Sequence, residues 1–320
     1  MKSSNIGGQA VMEGIMMRHK DKYSIAVRRQ DNEIELKVED YKCVFGNAKF
    51  LKYPLIRGVV SFVDSLVVGT KCLMYSAEIA GDEEDEEDKQ KNAALSEEEL
   101  AAKKAKEDKQ FKWLLYVTVA VSIVVSVAAF MLLPYALASL CRRVGASEFA
   151  VTIVEAFVKL ALFMGYMLLI SRMKDIQRTF MYHGAEHKCI NCIEHGLPLT
   201  VENVRKSSRQ HKRCGTSFLF FVLAISIILL LLIRVESPLM RVVVRIALLP
   251  VIAGISYEVL KLAGNSENAL VNLLSKPGMA IHMMTTSEPD DDMIEVAIQA
   301  VEAVSVSYTH LRAHETPEHL

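Results

Sequence analysis

A histidine- and carboxylate-containing segment at residues 182–187 reads Tyr-His-Gly-Ala-Glu-His. His183 and His187 are four residues apart, so a helix would place both imidazoles on one face. Glu186 directly precedes the second histidine and completes an H-x-x-E-H pattern, the reversed form of a zinc-protease signature. In such sites the histidines bind the metal, and the carboxylate acts as general base for a water molecule. The segment therefore predicts metal chemistry, with His183 and His187 as ligands and Glu186 as the catalytic base.

The residues that follow this segment include more of the types that bind zinc. His211 and Cys214 are three residues apart, which is one helical turn, and we expect them to complete the metal site. Cys192 and His195 are secondary candidates, and Cys192 also forms a C-x-x-C pair with Cys189. Because zinc prefers imidazole and thiolate ligands, the expected cofactor is a divalent metal ion, zinc.

Three interpretations of this cluster remain open at the level of sequence. A catalytic site keeps one coordination position free for substrate, whereas four protein ligands close a site whose role is structural. Without a metal, His183 and His187 would form a polar patch at a membrane surface, where Gly184 would weaken a helix. The sequence alone does not count the ligands, so both metal interpretations stand beside the metal-free one.

Apolar residues are concentrated in long stretches, which indicates a membrane protein. They make up 51% of the 320 residues, and a membrane-spanning helix needs about 20 of them in succession, with some tolerance. The stretches predict a four-span region over 113–264, with spans at 114–140, 149–170, 218–233 and 242–260. The formal net charge of −1 gives no indication of nucleic-acid binding. The expected partners are the lipid bilayer and an unidentified membrane-proximal substrate or protein.

The segment between the second and third predicted spans, residues 171–217, is rich in lysine and arginine. The other two connections are short, so the spans pair as hairpins, and both chain termini share a side with this segment. Because basic segments stay in the cytoplasm, we expect residues 171–217 and both termini to be cytoplasmic. A reducing cytoplasm favours thiols or metal ligands over a disulfide for Cys189, Cys192 and Cys214.

The rest of the N-terminal half predicts a small module and a linker. Residues 1–80 are expected to form a cytosolic α+β module that contains a hairpin of 23–29 and 33–38. Residues 57–78 predict an amphipathic helix, packed on the module or lying at the membrane interface, with a buried core helix as an equal alternative. The charged residues 81–112 predict a linker.

Residues 265–305 are expected to form a cytosolic C-terminal segment. The aspartates at 290–292 predict the cap and a favourable first turn of an amphipathic helix. From about residue 306 the sequence resembles the translation of a sequencing adapter. We therefore exclude residues 306–320 from functional reasoning, and with them the histidine pair His310 and His314.

Two ionisable residues inside the second predicted span suggest a further function. Glu155 and Lys159 are four residues apart, and charged groups within a membrane are costly and usually face a bundle interior or a cavity. One interpretation is a proton or substrate path through the bundle. The other is an ion pair within the helix, close to a contact with a neighbouring helix.

Seven sequence blocks occur in order along the chain: GGQAVMEGIMMR at 7–18, LMYSAE at 73–78, YHGAEHK at 182–188, CIEHG at 192–196, TVENVR at 200–205, RCGTSF at 213–218 and TTSEPDDDMIEVAI at 285–298. Together they resemble the YqhQ-like bacterial membrane proteins, a domain of unknown function labelled as a predicted metal-dependent enzyme. The resemblance implies a bacterial inner-membrane protein whose matching site positions are His183, Glu186, His187, Cys192, His195, His211 and Cys214.

The chain departs from the family pattern at Cys189, where the resemblance leads us to expect Thr. This departure argues that the C-x-x-C is incidental. The resemblance also implies that residues 7–18 pack against the segment 171–217, which would add Glu13 as a candidate carboxylate.

The sequence thus predicts a mainly α, polytopic membrane helical bundle of about four spans with a small N-terminal α+β cytosolic module. The expected function is metal-assisted hydrolysis at a cytosolic, membrane-proximal site. The alternatives are a non-enzymatic membrane scaffold or partner-binding protein with a structural metal, and a transporter.

Overall fold

The computed structural model describes residues 4–46, 48–81, 97–233, 235, 237–266 and 268–313. Over these residues the protein is mainly helical, with an antiparallel sheet of four strands near its N-terminus. This confirms the predicted fold class. By internal packing the chain divides into two units, residues 1–81 with 167–320 and residues 82–166, and the candidate site lies wholly within the first.

The helices of the described residues follow one another with short 3-10 or π turns at Lys49–Lys52, Ala128–Leu132 and Leu140–Val144. In chain order they are α1 (Ile56–Ala80), α2 (Glu97–Val127), α3 (Leu133–Ser139), α4 (Glu148–Ile170), α5 (Lys174–Glu194), α6 (Val201–Lys206), α7 (Gly215–Leu232), α8 (Pro238–Asn265), α9 (Ala269–Met284) and α10 (Asp291–Ala313).

The sheet is an antiparallel meander of β1 (Ile6–Val11), β2 (Gly14–His19), β3 (Lys22–Arg28) and β4 (Ile34–Asp40). The predicted hairpin of 23–29 and 33–38 is confirmed as β3 and β4. Strands β1 and β2 lie in the block 7–18, whose glycines and methionines show no clear alternation of apolar and polar residues. That pattern does not indicate strands, so half of the sheet is visible only in the structure.

Both faces of the sheet are covered by helices. Met16 and Ile25 face α1 and pack with its Cys72. Ile15 and Met17, neighbours of Met16 along β2, face the opposite way and share a second core with α5 and α10. This follows from the period of two along a strand, which sends successive side chains to opposite faces. The sheet therefore fixes the position of α5, the helix that carries the candidate ligands His183 and His187.

Among the described residues, four helical stretches are long and apolar enough to cross a membrane: Ile56–Ala80, Tyr116–Val144, Glu148–Ile170 and Val242–Gly264. Three of them correspond to the predicted spans 114–140, 149–170 and 242–260. The predicted span 218–233 lies in α7, an apolar helix whose described apolar part, Gly215–Leu229, is shorter than these four, so this span stays a prediction. Helix α1, predicted as an amphipathic helix over 57–78, is also long and apolar enough to cross a membrane, and it packs on the module.

The charged and C-terminal segments agree in part with their predictions. Of the predicted linker 81–112, residues 82–96 lie outside the described part of the chain, and its second half belongs to α2. Helix α10 begins at Asp291 with Asp292 in its first turn, which confirms the predicted helix start. The residues excluded as adapter-like begin within α10, and 314–320 again lie outside the described residues.

The ionisable pair of the second predicted span lies on a buried stripe of α4. Val151, Glu155 and Lys159 follow one another at a spacing of four, and all three side chains are buried. A shared face is what both interpretations of the pair require, so transport stays a prediction.

Candidate metal centre

Four metal-ligating side chains converge where α5, α7 and α9 meet. His183 and His187 come from α5, Cys214 is the residue that caps the start of α7, and His282 lies near the end of α9. One donor atom from each lies within 4.8 Å of every other. A tetrahedral zinc ion with bonds of about 2.0–2.3 Å sets its donors roughly 3.3–3.8 Å apart. The cluster is therefore of a size that a single ion could occupy.

The α5 histidines and the cysteine are already in direct contact. The Nε2 atom of His187 is 2.9 Å from Nε2 of His183, which in turn is 3.2 Å from Sγ of Cys214. His187 and Cys214 are buried, and His183 is partly buried. Burial lowers the pKa of His187 well below its ordinary value, so its imidazole stays neutral, the form that binds metals.

His282 provides the test of whether these residues fit a metal. Its side chain is 0% exposed, and neither ring nitrogen has a hydrogen-bond partner within the described part of the chain. A buried polar group without a partner costs free energy, and native proteins avoid it. A metal bound to His282 would remove that cost, and three imidazoles with one thiolate are a donor set that zinc accepts. The residues present therefore fit the predicted group.

A backbone segment from the C-terminal side holds His183 in place. The Nδ1 atom of His183 is 2.9 Å from the carbonyl oxygen of Thr285, an arrangement that orients metal-binding histidines in other proteins. The same segment continues along α5, where the N–H of Ser287 donates to the carbonyl of Phe180. A methyl group on Gly184 would lie 2.0 Å from the Ser287 carbonyl oxygen. Gly184 is thus needed for this close approach, although glycine weakens a helix.

Glu186 lies beside the cluster at the wall of a cavity of about 310 Å³. Gly7 and Gly8 of β1 form another part of that wall, as the resemblance implied for residues 7–18. The Glu186 side chain is buried, and its Oε2 atom has no hydrogen-bond partner among the described residues. Burial raises the pKa of Glu186 to about 7, against the opposing effects of His183 and of a hydrogen bond with the Gly8 backbone. A carboxyl group with this pKa can exchange a proton near neutral pH.

His211 lies next to the cluster without joining it. Its ring stacks on that of His187 at a centroid distance of 5.5 Å, while its Nε2 atom is 3.3 Å from Oε2 of Glu194. Burial alone would raise the pKa of Glu194, but hydrogen bonds from His211 and Ser4 and the charge of Arg213 lower it to about 2. His211 therefore pairs with a carboxylate, while His282, which was not predicted, lies within the cluster.

The secondary candidates lie away from the cluster. The Sγ atom of Cys192 faces the carbonyl oxygens of Leu197 and Pro198 in the core beneath α5. His195 is exposed at the end of α5, where its Nδ1 atom is 2.7 Å from the Asn191 carbonyl oxygen.

Two more of the residues considered for the site are also outside the cluster. Cys189 is buried in the same core as Cys192. Glu13 forms an ion pair with Arg178 and accepts a hydrogen bond from the Tyr182 hydroxyl. Of the predicted ligands, the structure brings together His183, His187 and Cys214.

His282 is the cluster member that the sequence patterns do not reveal. It stands alone in an apolar helix, at no ligand-like spacing from another histidine or cysteine. One signal was available, because His282 precedes the block TTSEPDDDMIEVAI at 285–298 by only a few residues. Since Thr285 contacts His183, that block and its flanks belong to the site.

Comparison with known proteins defines the class of this one. Residues 53–307 match the family described as Protein of unknown function (DUF1385), and the chain belongs to that family. It is similar to the Uncharacterized protein YqhQ of Bacillus subtilis (strain 168), with 37% identity over 307 residues that cover 92% of this chain and 90% of the relative. This confirms the resemblance seen in the sequence blocks. No solved structure matches the chain.

Proposed function

We propose that this protein is a metal-dependent hydrolase of the bacterial cell membrane. It binds a divalent ion, zinc, with ligands drawn from His183, His187, Cys214 and His282, of which a catalytic site would use three and leave one position open, and it acts on a membrane-proximal substrate from the cytoplasmic side. One observation carries the proposal: three members of the histidine–cysteine group, His183, His187 and Cys214, line a cavity. The buried carboxyl group of Glu186 lines the same cavity, and its Oε2 atom has no hydrogen-bond partner among the described residues.

In such a reaction the metal and the residues around it would have different roles. The metal would supply Lewis acidity that polarises a carbonyl or phosphoryl group. Glu186 would take a proton from water at its Oε2 atom, and its pKa of about 7 suits that task at neutral pH. A hydrogen bond with the Gly8 backbone holds the Glu186 carboxyl group at the cavity wall. The Thr285 carbonyl fixes the ring of His183, so that Nε2 faces the other donors.

A structural metal is the second candidate function. Four protein donors are enough to close a tetrahedral site, and His282 supplies the fourth. In that case the ion would tie α5, α7 and α9 together, and the protein would act as a membrane scaffold or bind a partner. Both candidates share the metal, so the first experiment tests the metal and the second its role.

The metal is tested by replacing His282 and a matched control. We expect the full-length protein purified with zinc to retain bound metal and the variant His282→Ala to lose it, because one donor of the site is gone. His195→Ala is the control, since it removes an exposed histidine that lies outside the cluster. Equal metal content in the wild type and in both variants, measured by elemental analysis, would contradict both candidate functions.

The role of the metal is tested at Glu186. The variant Glu186→Gln keeps the size of the side chain but removes the proton acceptor, so we expect normal metal content. Hydrolysis of a panel of ester, phosphoester and peptide substrates should fall by about 10²–10⁴-fold, the usual contribution of general base catalysis. If the metal-loaded wild type hydrolyses none of them, or if the variant is as active, the structural candidate is favoured.

A further inference from the structure

The chain segment before α1, residues 48–56, exposes an unusual set of large apolar side chains; we call it the elbow segment. The exposed fraction is 57% for Phe50, 63% for Tyr53, 43% for Leu55 and 41% for Ile56. Single exposed apolar residues are normal on a soluble surface, but clustered ones mark a surface that binds something apolar. The elbow segment therefore has the composition of a contact surface.

The elbow segment ends against a candidate membrane span. A methyl group on Gly254 of α8 would lie 2.8 Å from the Leu55 carbonyl oxygen, and one on Gly58 of α1 would lie 3.0 Å from the Gly254 Cα atom. The two glycines thus let α1 begin in backbone contact with α8. Close approach through small residues is typical of helix packing in membranes.

An ion pair indicates the depth of this contact. Arg57 forms a bidentate ion pair with Glu258 of α8. Glu258 and Lys261 both lie in the last part of the apolar stretch Val242–Gly264. Charged residues are costly within the hydrocarbon and gather at its borders. If α8 crosses the bilayer, its Glu258 end therefore lies near the membrane surface, and the elbow segment lies beside it.

The remainder of α1 extends away from the membrane surface and packs on the sheet. Asp64 is 2% exposed and holds the preceding chain through the Tyr41 hydroxyl and the Val44 N–H. Further along, Val68 and Cys72 belong to the core between α1 and the sheet. If this half of α1 were buried in lipid, the polar module packed against it would have to enter the bilayer as well. The length and composition of α1 would permit a span, but its packing favours a helix that only begins at the membrane.

The charges of the elbow segment agree with such a position. Lys49 and Lys52 are exposed between the apolar residues. Lysine side chains can lie along an apolar surface while their ammonium groups reach the headgroups, and aromatic residues are enriched at the same level. Basic residues near the bilayer also gain from anionic lipids.

We propose that the elbow segment inserts into the membrane–water interface next to α8, with Phe50, Tyr53 and Ile56 in the acyl boundary and its lysines at anionic headgroups. This surface is independent of the metal and goes beyond the proposed function. It also brings the metal centre to the membrane, because Phe62 of α1 contacts Phe218, whose ring lies 5.5 Å away and which follows Cys214 by one helical turn.

The test uses tryptophan as a depth probe in the full-length protein. The chain has one tryptophan, Trp113, so Trp113→Phe provides a silent background, to which Phe50→Trp is added. Leu36→Trp is the matched control, because Leu36 is also apolar and exposed, at 43%. Its neighbour Glu35 accepts a hydrogen bond from the Tyr75 hydroxyl. At 1.5 Å per residue, Tyr75 lies about 28 Å along α1 from Ile56, so the control probe is far from the elbow segment. Tyr53→Trp is a second probe in case Phe50→Trp does not fold.

The proteins are reconstituted into vesicles of phosphatidylcholine and phosphatidylglycerol, with and without brominated acyl chains. We expect emission of the elbow probe to shift to shorter wavelength and to be lost with brominated lipid, while iodide quenches only the Leu36→Trp control. Omitting phosphatidylglycerol should weaken the lipid quenching. Iodide quenching of the elbow probe equal to that of the control would overturn the proposal. So would protection from both quenchers, which would mean that a protein surface covers the segment.

Discussion

Glu186 and His187 are neighbours in the chain, and burial shifts their pKa values in opposite directions. Burial raises the pKa of Glu186 to about 7 and lowers that of His187, because both groups are driven toward their neutral forms. Neutral His187 is ready to bind a metal. Glu186 must be ionised before it can accept a proton. A cation bound nearby would favour the ionised carboxylate.

The two shifts predict how the stability of the metal-free protein depends on pH. The folded-state pKa of Glu186 exceeds its ordinary value of 4.5, so its contribution is fully present below about pH 4.5 and is lost as the pH rises through about 7. For His187 the folded-state pKa lies below the ordinary 6.5, so its contribution is present above that pH and is lost as the pH falls. Linkage between proton binding and unfolding sets both signs.

We therefore expect Glu186→Gln to stabilise the chelator-treated protein at pH 7.5 by a few kcal/mol, on the order of 1.4 per pKa unit, and to have little effect at pH 4.5. Thermal unfolding in detergent, recorded across this range for both proteins, checks the prediction. A constant difference at all pH values would mean that the effect does not come from titration of the Glu186 carboxyl group.

At the scale of elements, the centre depends on how closely the segment 285–289 crosses α5. Gly184 permits that crossing, since the Ser287 carbonyl occupies the space of a side chain there. The Thr285 carbonyl, in the same segment, contacts His183. The packing of a backbone segment on a helix is thus linked directly to the orientation of a candidate ligand, His183.

Gly184→Ala should accordingly destabilise the protein by about 1–3 kcal/mol, the usual cost of overpacking, and weaken metal binding by roughly 10–100-fold, as loss of outer partners does. Gly165→Ala is the control, because that glycine is also inside a helix but has open space at its Cβ position within the described structure. Unfolding and zinc titration measure both effects. Unchanged zinc affinity in a folded Gly184→Ala protein would contradict the linkage.

The sequence predicts those elements whose signals are local. The i, i+4 spacing of His183 and His187 survives in α5 because a helix repeats every 3.6 residues, and the hairpin of β3 and β4 is marked by its turn residues. His282 could not be predicted from the sequence, because the histidines next to it in space, His183 and His187, belong to another helix. The structure of residues 7–18 could not be predicted for a related reason, since Gly8 is placed by contact with Met17 and Glu186 rather than by its own propensity.

At the scale of the whole molecule, the candidate metal centre belongs to the unit that contains the sheet, α1 and helices α5 to α10. The segment 171–217 is folded: it includes α5 and α6, and its basic residues hold parts of that unit together. Lys188 is an example, since it is buried and donates to the carbonyls of Arg205 and Ser207 while pairing with Glu288. The positive-inside rule predicts a cytoplasmic location for this segment because of its lysines and arginines, and the side of the membrane stays a prediction.

Cysteine labelling checks this topology. In a Cys141→Ser background we expect Ser147→Cys, in the exposed turn before α4, to react with a membrane-impermeant maleimide in intact cells. Glu202→Cys, at an exposed position of α6, should react only after the cells are opened. Labelling of Glu202→Cys in intact cells would place the centre outside the cytoplasm, where Cys214 would lose the reducing conditions that keep it available as a thiolate ligand. A cytoplasmic location would thus suit the thiolate of the candidate centre as well as the basic charge of the segment 171–217.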